Sequence, residues 1–201
     1  MLKMGLTGGI ASGKSAVAAM LREMGFLVLE ADIVAHKLIE PGQSAHEEVV
    51  REFGAELADT SGRIDRAKLA SIVFADRAKL VKLNSIIHPR VEAIVFRQFE
   101  EWQRNGVRDA GFVEAALLVE AGIDKRLDGL VVAFCTPEQQ LERLRARGMS
   151  EAEAKRRLAA QIPVEEKLRH ATETIDCSGT LEETRAQVRA LAAKLRKRAA
   201  G

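Results

Sequence analysis

GLTGGIASGKSAVAAMLREMGF, residues 5–26, sets glycines, a lysine and a serine between an apolar run and an apolar-striped segment. Gly8 to Ser15 fits G-x-x-x-x-G-K-[ST] without a gap. Each residue type in that spacing has a physical task. The glycines let the backbone wrap close to an anion and point successive N–H groups at it. A helix beginning at the loop offers its positive end to the same anion. Lys14 can reach the β and γ phosphates, and the Ser15 hydroxyl suits a Mg²⁺ ligand.

The flanks supply the context such a loop requires. MLKMGL reads as a short buried strand. Lys14 to Met24 reads as a helix, with Val17, Met20, Leu21 and Met24 at helical spacing and Gly25 closing it. FLVLE at 26–30 is a second strand. Strand, glycine loop, helix and strand within thirty residues make a βαβ unit. The pattern points to a nucleoside triphosphate and does not name the reaction.

The bulk composition bounds the rest. A chain of 201 residues holds one core domain with room for an inserted lobe. Hydrophobic residues are 47%, enough for a packed interior, and charged residues are 30%. The 31 basic and 29 acidic residues leave a formal charge of +2. That balance argues against a dedicated nucleic-acid binder, whose mark is a strongly basic face. Cys135 and Cys177 lack metal-site spacing; Cys135 ends an apolar run and is expected to be buried. No signal peptide and no run near the ~20 apolar residues of a membrane span are seen. A cytoplasmic location with no membrane partner is the expectation.

Downstream, residues 31–104 show little strand signal. Segments 33–39, 45–53, 66–74 and 77–104 read as helices, punctuated by EPGQS and DTSGRID. His88-Pro89 predicts a break or kink near 87–89, because a residue before proline avoids the α region. GFVEA at 111–115 and LDGLVVAFC at 127–135 read as strands three and four. Continuous apolar strands alternating with helices imply a parallel sheet covered on both faces. Thr136-Pro137-Glu138 opens a further helix, and 143–168 is mostly helical and rich in arginine. ETID at 173–176 is a short fifth strand, and 181–198 a terminal amphipathic helix.

A phosphotransferase needs a group to take the acceptor proton, an acid near the metal, and cations on the transferring phosphoryl. Asp32 stands just after strand two, at the edge where open α/β sheets bind ligands. It reads equally as the N-cap of the helix over IVAHKL. Glu114 ends strand three and reads equally as a polariser of metal-bound water and as a satisfied strand-end residue. The arginines 143, 145, 147, 156, 157 and 169 mostly read as a solvated face, with one or two turned to phosphate. A helical flap carrying them would exclude water from a bound triphosphate.

Together these segments resemble the dephospho-CoA kinase family over nearly the whole length. LTGGIASGKS and ADIVAHKLIEPG at 31–42 are similar to its two opening signatures. GRIDRAKLASIVF at 62–74 and IIHPRV at 86–91 resemble its helical acceptor-binding insert. ALLVEAG at 116–122, RLRARGMSEAEAKRRLAAQ at 143–161 and TIDCSG at 174–179 resemble its segment after strand three, its lid and its adenine-side turn. The chain departs at Glu30, where the family often has aspartate, at Ala116, usually proline, and at Cys177, often asparagine.

The resemblance implies an α/β P-loop kinase fold: a five-stranded parallel sheet with helices on both faces, a helical substrate-binding insert and a helical lid. It divides residues 1–201, one kinase unit, into a nucleotide-binding core (1–35, 105–142 and 170–201), an insert (36–104) and a lid (143–169). It implies ATP-dependent phosphorylation of the ribose 3′-hydroxyl of dephospho-CoA, with Mg²⁺ as cofactor and the chain a monomer or small homo-oligomer. Asp32, Lys14 and Arg147 would be catalytic. Gly9, Ile10, Ala11, Ser12, Gly13, Lys14, Ser15 and Arg147 would hold the nucleotide. Asp32, His88, Arg66, Leu117 and Glu120 would bind the acceptor, and Ser15 the metal. A nucleoside or nucleotide kinase and a non-enzymatic ATP-binding switch are the alternatives.

Overall fold

The computed structural model describes residues 1–200. They form two compact units, Met1–Glu30 with Phe99–Gly201, and Ala31–Gln98. The first unit is built on a five-stranded sheet. Its strands are β1 (Leu2–Thr7), β2 (Leu27–Glu30), β3 (Ala110–Glu114), β4 (Gly129–Phe134) and β5 (Glu173–Asp176). They are ordered β2-β3-β1-β4-β5, and every neighbouring pair is parallel.

Alternation along the strands explains the layering. Met4, Leu6, Phe112, Val131, Ala133 and Ile175 share one buried cluster with α1 (Lys14–Glu23) and α9 (Leu181–Ala200). Val17, Ala18 and Leu21 of α1 and Val188, Leu191 and Leu195 of α9 supply the helix side of that cluster. Phe26 and Phe112 meet edge to face at 5.6 Å. Residues of the opposite parity face the other layer. A Cβ on Gly5 would press on Leu130 and Leu118, and one on Gly111 would lie 2.6 Å from Trp102. Helices thus cover both faces, as the apolar strands require.

β1 lies mid-sheet, with β3 on one side and β4 on the other. The chain reverses its direction of travel there, so the carboxyl end of β1 opens at the switch point where such sheets take ligands. The glycine loop leaves β1 at that point. After β4 the chain forms α6 (Pro137–Ala146), α7 (Glu151–Ala159) and α8 (Val164–His170) before β5. Thr136 and Gln139 form a capping box at the start of α6, with Pro137 in its first turn.

The second unit is helical: α2 (Ala31–Leu38), α3 (His46–Phe53), α4 (Arg66–Ala75) and most of α5 (Arg77–Arg104). Asp65 caps α4 by accepting from the N–H groups of Ala67 and Lys68. Of the break or kink expected near 87–89, the break does not occur: α5 is a single helix of 28 residues with Pro89 inside it. Proline removes one ladder donor there. Buried Ile86, Ile87, Val91 and Val95 hold the helix through it, and the Arg90 guanidinium donates to the Ile86 carbonyl at 2.6 Å. Among the described residues no helix is long and apolar enough to cross a membrane.

Candidate active site

The loop from Gly8 to Gly13 is closed by close approach on every side. A Cβ on Gly8 would strike the Ala133 carbonyl and the Ser12 hydroxyl. Gly13 adopts φ 103°, and a Cβ there would sit 2.7 Å from the Cys177 Cβ. These two positions require glycine for separate reasons, one steric and one conformational. Ala11, at φ 60°, is the one non-glycine residue with positive φ among those described. The Ser12 hydroxyl is buried without a hydrogen-bond partner among the described residues. An orphaned buried hydroxyl inside a glycine-rich loop is suited to an incoming anion's oxygens.

α1 begins at Lys14, with no side-chain cap and no acidic residue in its first turn. Its first N–H groups have no intrahelical carbonyl to bond and stay available to a ligand at the positive end of the helix. The Lys14 ammonium meets the Glu114 carboxylate at 2.6 Å, with side chains 13% and 5% exposed. The Ser15 hydroxyl donates to the same Glu114 oxygen at 3.3 Å. Arg22 pairs with Glu30 at 2.7 Å and lies 3.9 Å from the other Glu114 oxygen. β3 therefore ends in a buried acid that gathers the loop lysine and the loop serine. Of the two sequence readings of Glu114, the structure shows a residue already partnered and adjoining the phosphate loop.

The residues following β4 brace the loop from outside. Arg143 donates to the Ala11 carbonyl at 3.2 Å and to the Cys177 carbonyl at 2.7 Å. Its guanidinium binds backbone, and the arginines that follow it differ from it. Arg145 pairs with Glu151 and Arg157 with Glu153, all on exposed side chains. Arg147 is exposed at the C-terminus of α6, directly before Gly148 at φ 80°, and its guanidinium makes no ion pair among the described residues. Cys135 and Cys177 are both buried. Burial raises both thiols, and Cys177 is pushed up to about 11 against the opposing charge of Arg143.

Leu117 and Glu120 lie in the turn after β3. Glu120 is engaged by Lys167 of α8, which is wholly buried and donates to both Glu120 oxygens at 2.8 and 2.9 Å and to the Ala116 carbonyl at 2.6 Å. The Thr7 hydroxyl donates to the same Ala116 carbonyl at 3.2 Å. In the helical unit, Asp32 is exposed in the first turn of α2, Arg66 is exposed at the start of α4, and His88 is half-buried in α5. α2 begins at Ala31, so Asp32 lies within the helix and is not its N-cap.

The sequence pattern located the loop, Lys14, Ser15 and Glu114. It missed Gln140, Gln161 and Lys167. Only Lys167 carried a hint, a lone lysine at the centre of an apolar-spaced short helix. Gln140 and Gln161 match no spacing template, because their partners lie more than a hundred residues away in the chain.

For a metal, the donor set is one hydroxyl and one buried carboxylate. No cluster of three or more histidine, cysteine or acidic side chains that could hold an ion occurs among the described residues. A sparse oxygen set of that kind fits Mg²⁺, which keeps several waters and takes phosphate oxygens as ligands.

Three comparisons with known proteins agree. The CoaE family profile, described as dephospho-CoA kinase, matches residues 2–183. A dephospho-CoA kinase of Symbiobacterium thermophilum is 46% identical over 187 residues, covering 92% of this chain and 78% of the relative. Two solved structures superpose over nearly all of both chains. One is TT1252 from Thermus thermophilus, with TM-score 0.80 and 37% identity, covering 96% of this chain and 97% of the other. The second is a dephospho-CoA kinase from Campylobacter jejuni, with TM-score 0.72 and 28% identity, covering 97% of each.

Proposed function

The chain belongs to the dephospho-CoA kinase family, and from that membership we infer that it transfers the γ-phosphoryl of ATP to dephospho-CoA, forming coenzyme A and ADP. The observation that carries this reading is the uncapped start of α1 behind a glycine loop, with Lys14 and Ser15 gathered on the buried Glu114. It is a ready anion site with a lysine held beside it.

The acceptor oxygen in this reading is the ribose 3′-hydroxyl. Its bond to the γ phosphorus forms as the bond from that phosphorus to the β–γ bridging oxygen breaks, and ADP leaves. Asp32 takes the hydroxyl proton; its position two residues after β2 and the resemblance of ADIVAHKL support that role. The loop N–H groups that bond nothing within the protein, together with the Lys14 ammonium, hold the phosphates, stabilising charge as it shifts to the bridging oxygen. Lys14 must exchange Glu114 for phosphate when ATP arrives. Ser15 and Glu114 would hold Mg²⁺, which supplies charge neutralisation when bound. Arg147 adds a cation from the lid (143–169), and its exposed position beside Gly148 supports that. The insert (36–104) takes the acceptor with Arg66 and His88, while Leu117 and Glu120 contact it from the turn after β3. The setting for such biosynthesis is the cytoplasm.

The nucleoside kinase alternative is not favoured, since the curated relatives are themselves dephospho-CoA kinases. The test is product identity together with one variant. Dephospho-CoA and ATP should yield coenzyme A with its new phosphate on the 3′ oxygen by phosphorus NMR. Asp32→Asn should keep ATP affinity and lower turnover by roughly 10²-fold or more, the size of a lost general base. A phosphate on another oxygen, or full turnover in Asp32→Asn, would contradict the assignment.

A further inference from the structure

Ile10 is the third residue of the phosphate loop, and two glutamines hold its peptide groups. Its N–H donates to Gln161 Oε1 at 2.9 Å. Its carbonyl accepts from Gln140 Nε2, also at 2.9 Å. Gln140 is on the second turn of α6 and is 8% exposed. Gln161 lies between α7 and α8. The two amides therefore reach the same residue from either side of the segment that holds the end of α6 and all of α7.

The glycine before Ile10 fits this arrangement. A Cβ on Gly9 would lie 2.6 Å from Gln140 Nε2 and 3.8 Å from Gln161 Oε1. Gly9 carries no positive φ, so a side chain there is opposed not by backbone conformation but by the Gln140 amide, which would have to shift from the Ile10 carbonyl to admit it. The orientation of each amide is also fixed. A carbonyl oxygen can only accept and a backbone N–H can only donate, so Gln140 must present its nitrogen and Gln161 its oxygen.

We propose that Gln140 and Gln161 are positioning residues that clamp the Ile10 peptide groups and hold the phosphate loop in its binding curvature before nucleotide arrives. A loop held this way loses less freedom when the phosphates bind, so more of the contact energy appears as affinity. The kinetic part of this proposal rests on the loop being the ATP site. The structural part stands without it.

Two isosteric substitutions make opposite demands. Gln161→Glu keeps an acceptor for the Ile10 N–H, whereas Gln140→Glu sets a carboxylate oxygen against the Ile10 carbonyl. Amide hydrogen exchange at Ile10, read by NMR on the nucleotide-free chain, separates them. Gln161→Glu should exchange within about threefold of the wild type. Gln161→Leu and Gln140→Glu should exchange about tenfold faster, the scale of one neutral hydrogen bond, with melting temperatures within a few degrees of the wild type. In the steady state these two should raise KM for ATP by about tenfold on the same scale and change kcat less. Gly9→Ala should add little to Gln140→Ala, because it presses on the amide that Gln140→Ala removes. Equal exchange in both glutamate variants, or unchanged exchange in Gln161→Leu, would overturn the clamp. Altered exchange with unaltered KM for ATP would leave the two hydrogen bonds standing and overturn their role in preparing the loop for nucleotide; the loop's role as the ATP site is tested separately, by the loss of turnover in Lys14→Ala.

Discussion

Lys14 and Glu114 form a largely buried pair, so removing Lys14 takes from the Glu114 carboxylate its nearest cation and leaves it the Ser15 hydroxyl, with Arg22 3.9 Å away. Lys14→Ala should cut turnover by more than ~10²-fold, as loss of a preorganised phosphate contact does. It should also cost about 1–3 kcal/mol of stability, the penalty of an unpartnered buried group. Adding Glu114→Gln should return much of that stability in urea denaturation and none of the turnover. Stability and activity that recover together would show that Lys14 serves only the fold. Cys177 gives a second residue-scale expectation. Its folded value of about 11 lies above the ordinary thiol value of 9.0. The folded chain therefore keeps a proton that the unfolded chain releases, so this contribution is full below pH 9 and lost as pH rises towards 11. Unfolding free energy should fall across that window, and Cys177→Ala should flatten the fall. The phosphate loop was legible because its chemistry depends on spacing within eight residues. The glutamine clamp was not, because it depends on where α6 and the segment before α8 arrive in space.

At the scale of elements, α8 is tied to the turn after β3 through one buried side chain. Lys167 satisfies three acceptors, two on Glu120 and one on Ala116, and the Ile162 N–H also points to Glu120 at 3.4 Å. A buried pair of this kind costs about 3–5 kcal/mol when one partner is removed. Lys167→Met, which keeps the volume, should lower the unfolding free energy measured in urea by an amount in that range, and Glu120→Gln in the same chain should recover part of it. A midpoint unchanged in Lys167→Met would show the pair to be idle. The strands and most helices were legible because their periodicities are local: alternate positions in β1 and every third or fourth in α1. The reading at Pro89 is of the same origin. A local rule predicted a break or kink; the helix is not broken, and the buried Ile86, Ile87, Val91 and Val95 along α5 offset the missing backbone donor. Asp32 shows the converse. A two-residue difference in where α2 begins moved it from a possible cap into the helix, and nothing in the sequence alone fixes a helix start that closely.

For the whole molecule, the parallel order β2-β3-β1-β4-β5 sets the phosphate loop at the carboxyl end of a central strand. That order followed from βαβ logic once the loop and the apolar strands were recognised. The division at Ala31 and Gln98 had only a sequence counterpart, the long stretch without strand signal. A formal charge of +2 gives little bulk attraction for anions, so preference for a phosphorylated acceptor must come from placed groups. The central claim is that these groups transfer a phosphoryl to dephospho-CoA. The direct measurement is kcat/KM with ATP for dephospho-CoA beside adenosine, AMP, cytidine and uridine, with Lys14→Ala as the blank. The account predicts that dephospho-CoA exceeds every nucleoside and nucleotide by at least ~10³-fold, a difference of about 4 kcal/mol in transition-state stabilisation. Comparable turnover of any of the others, or ATP hydrolysis in Lys14→Ala equal to that of the wild type with dephospho-CoA, would contradict it.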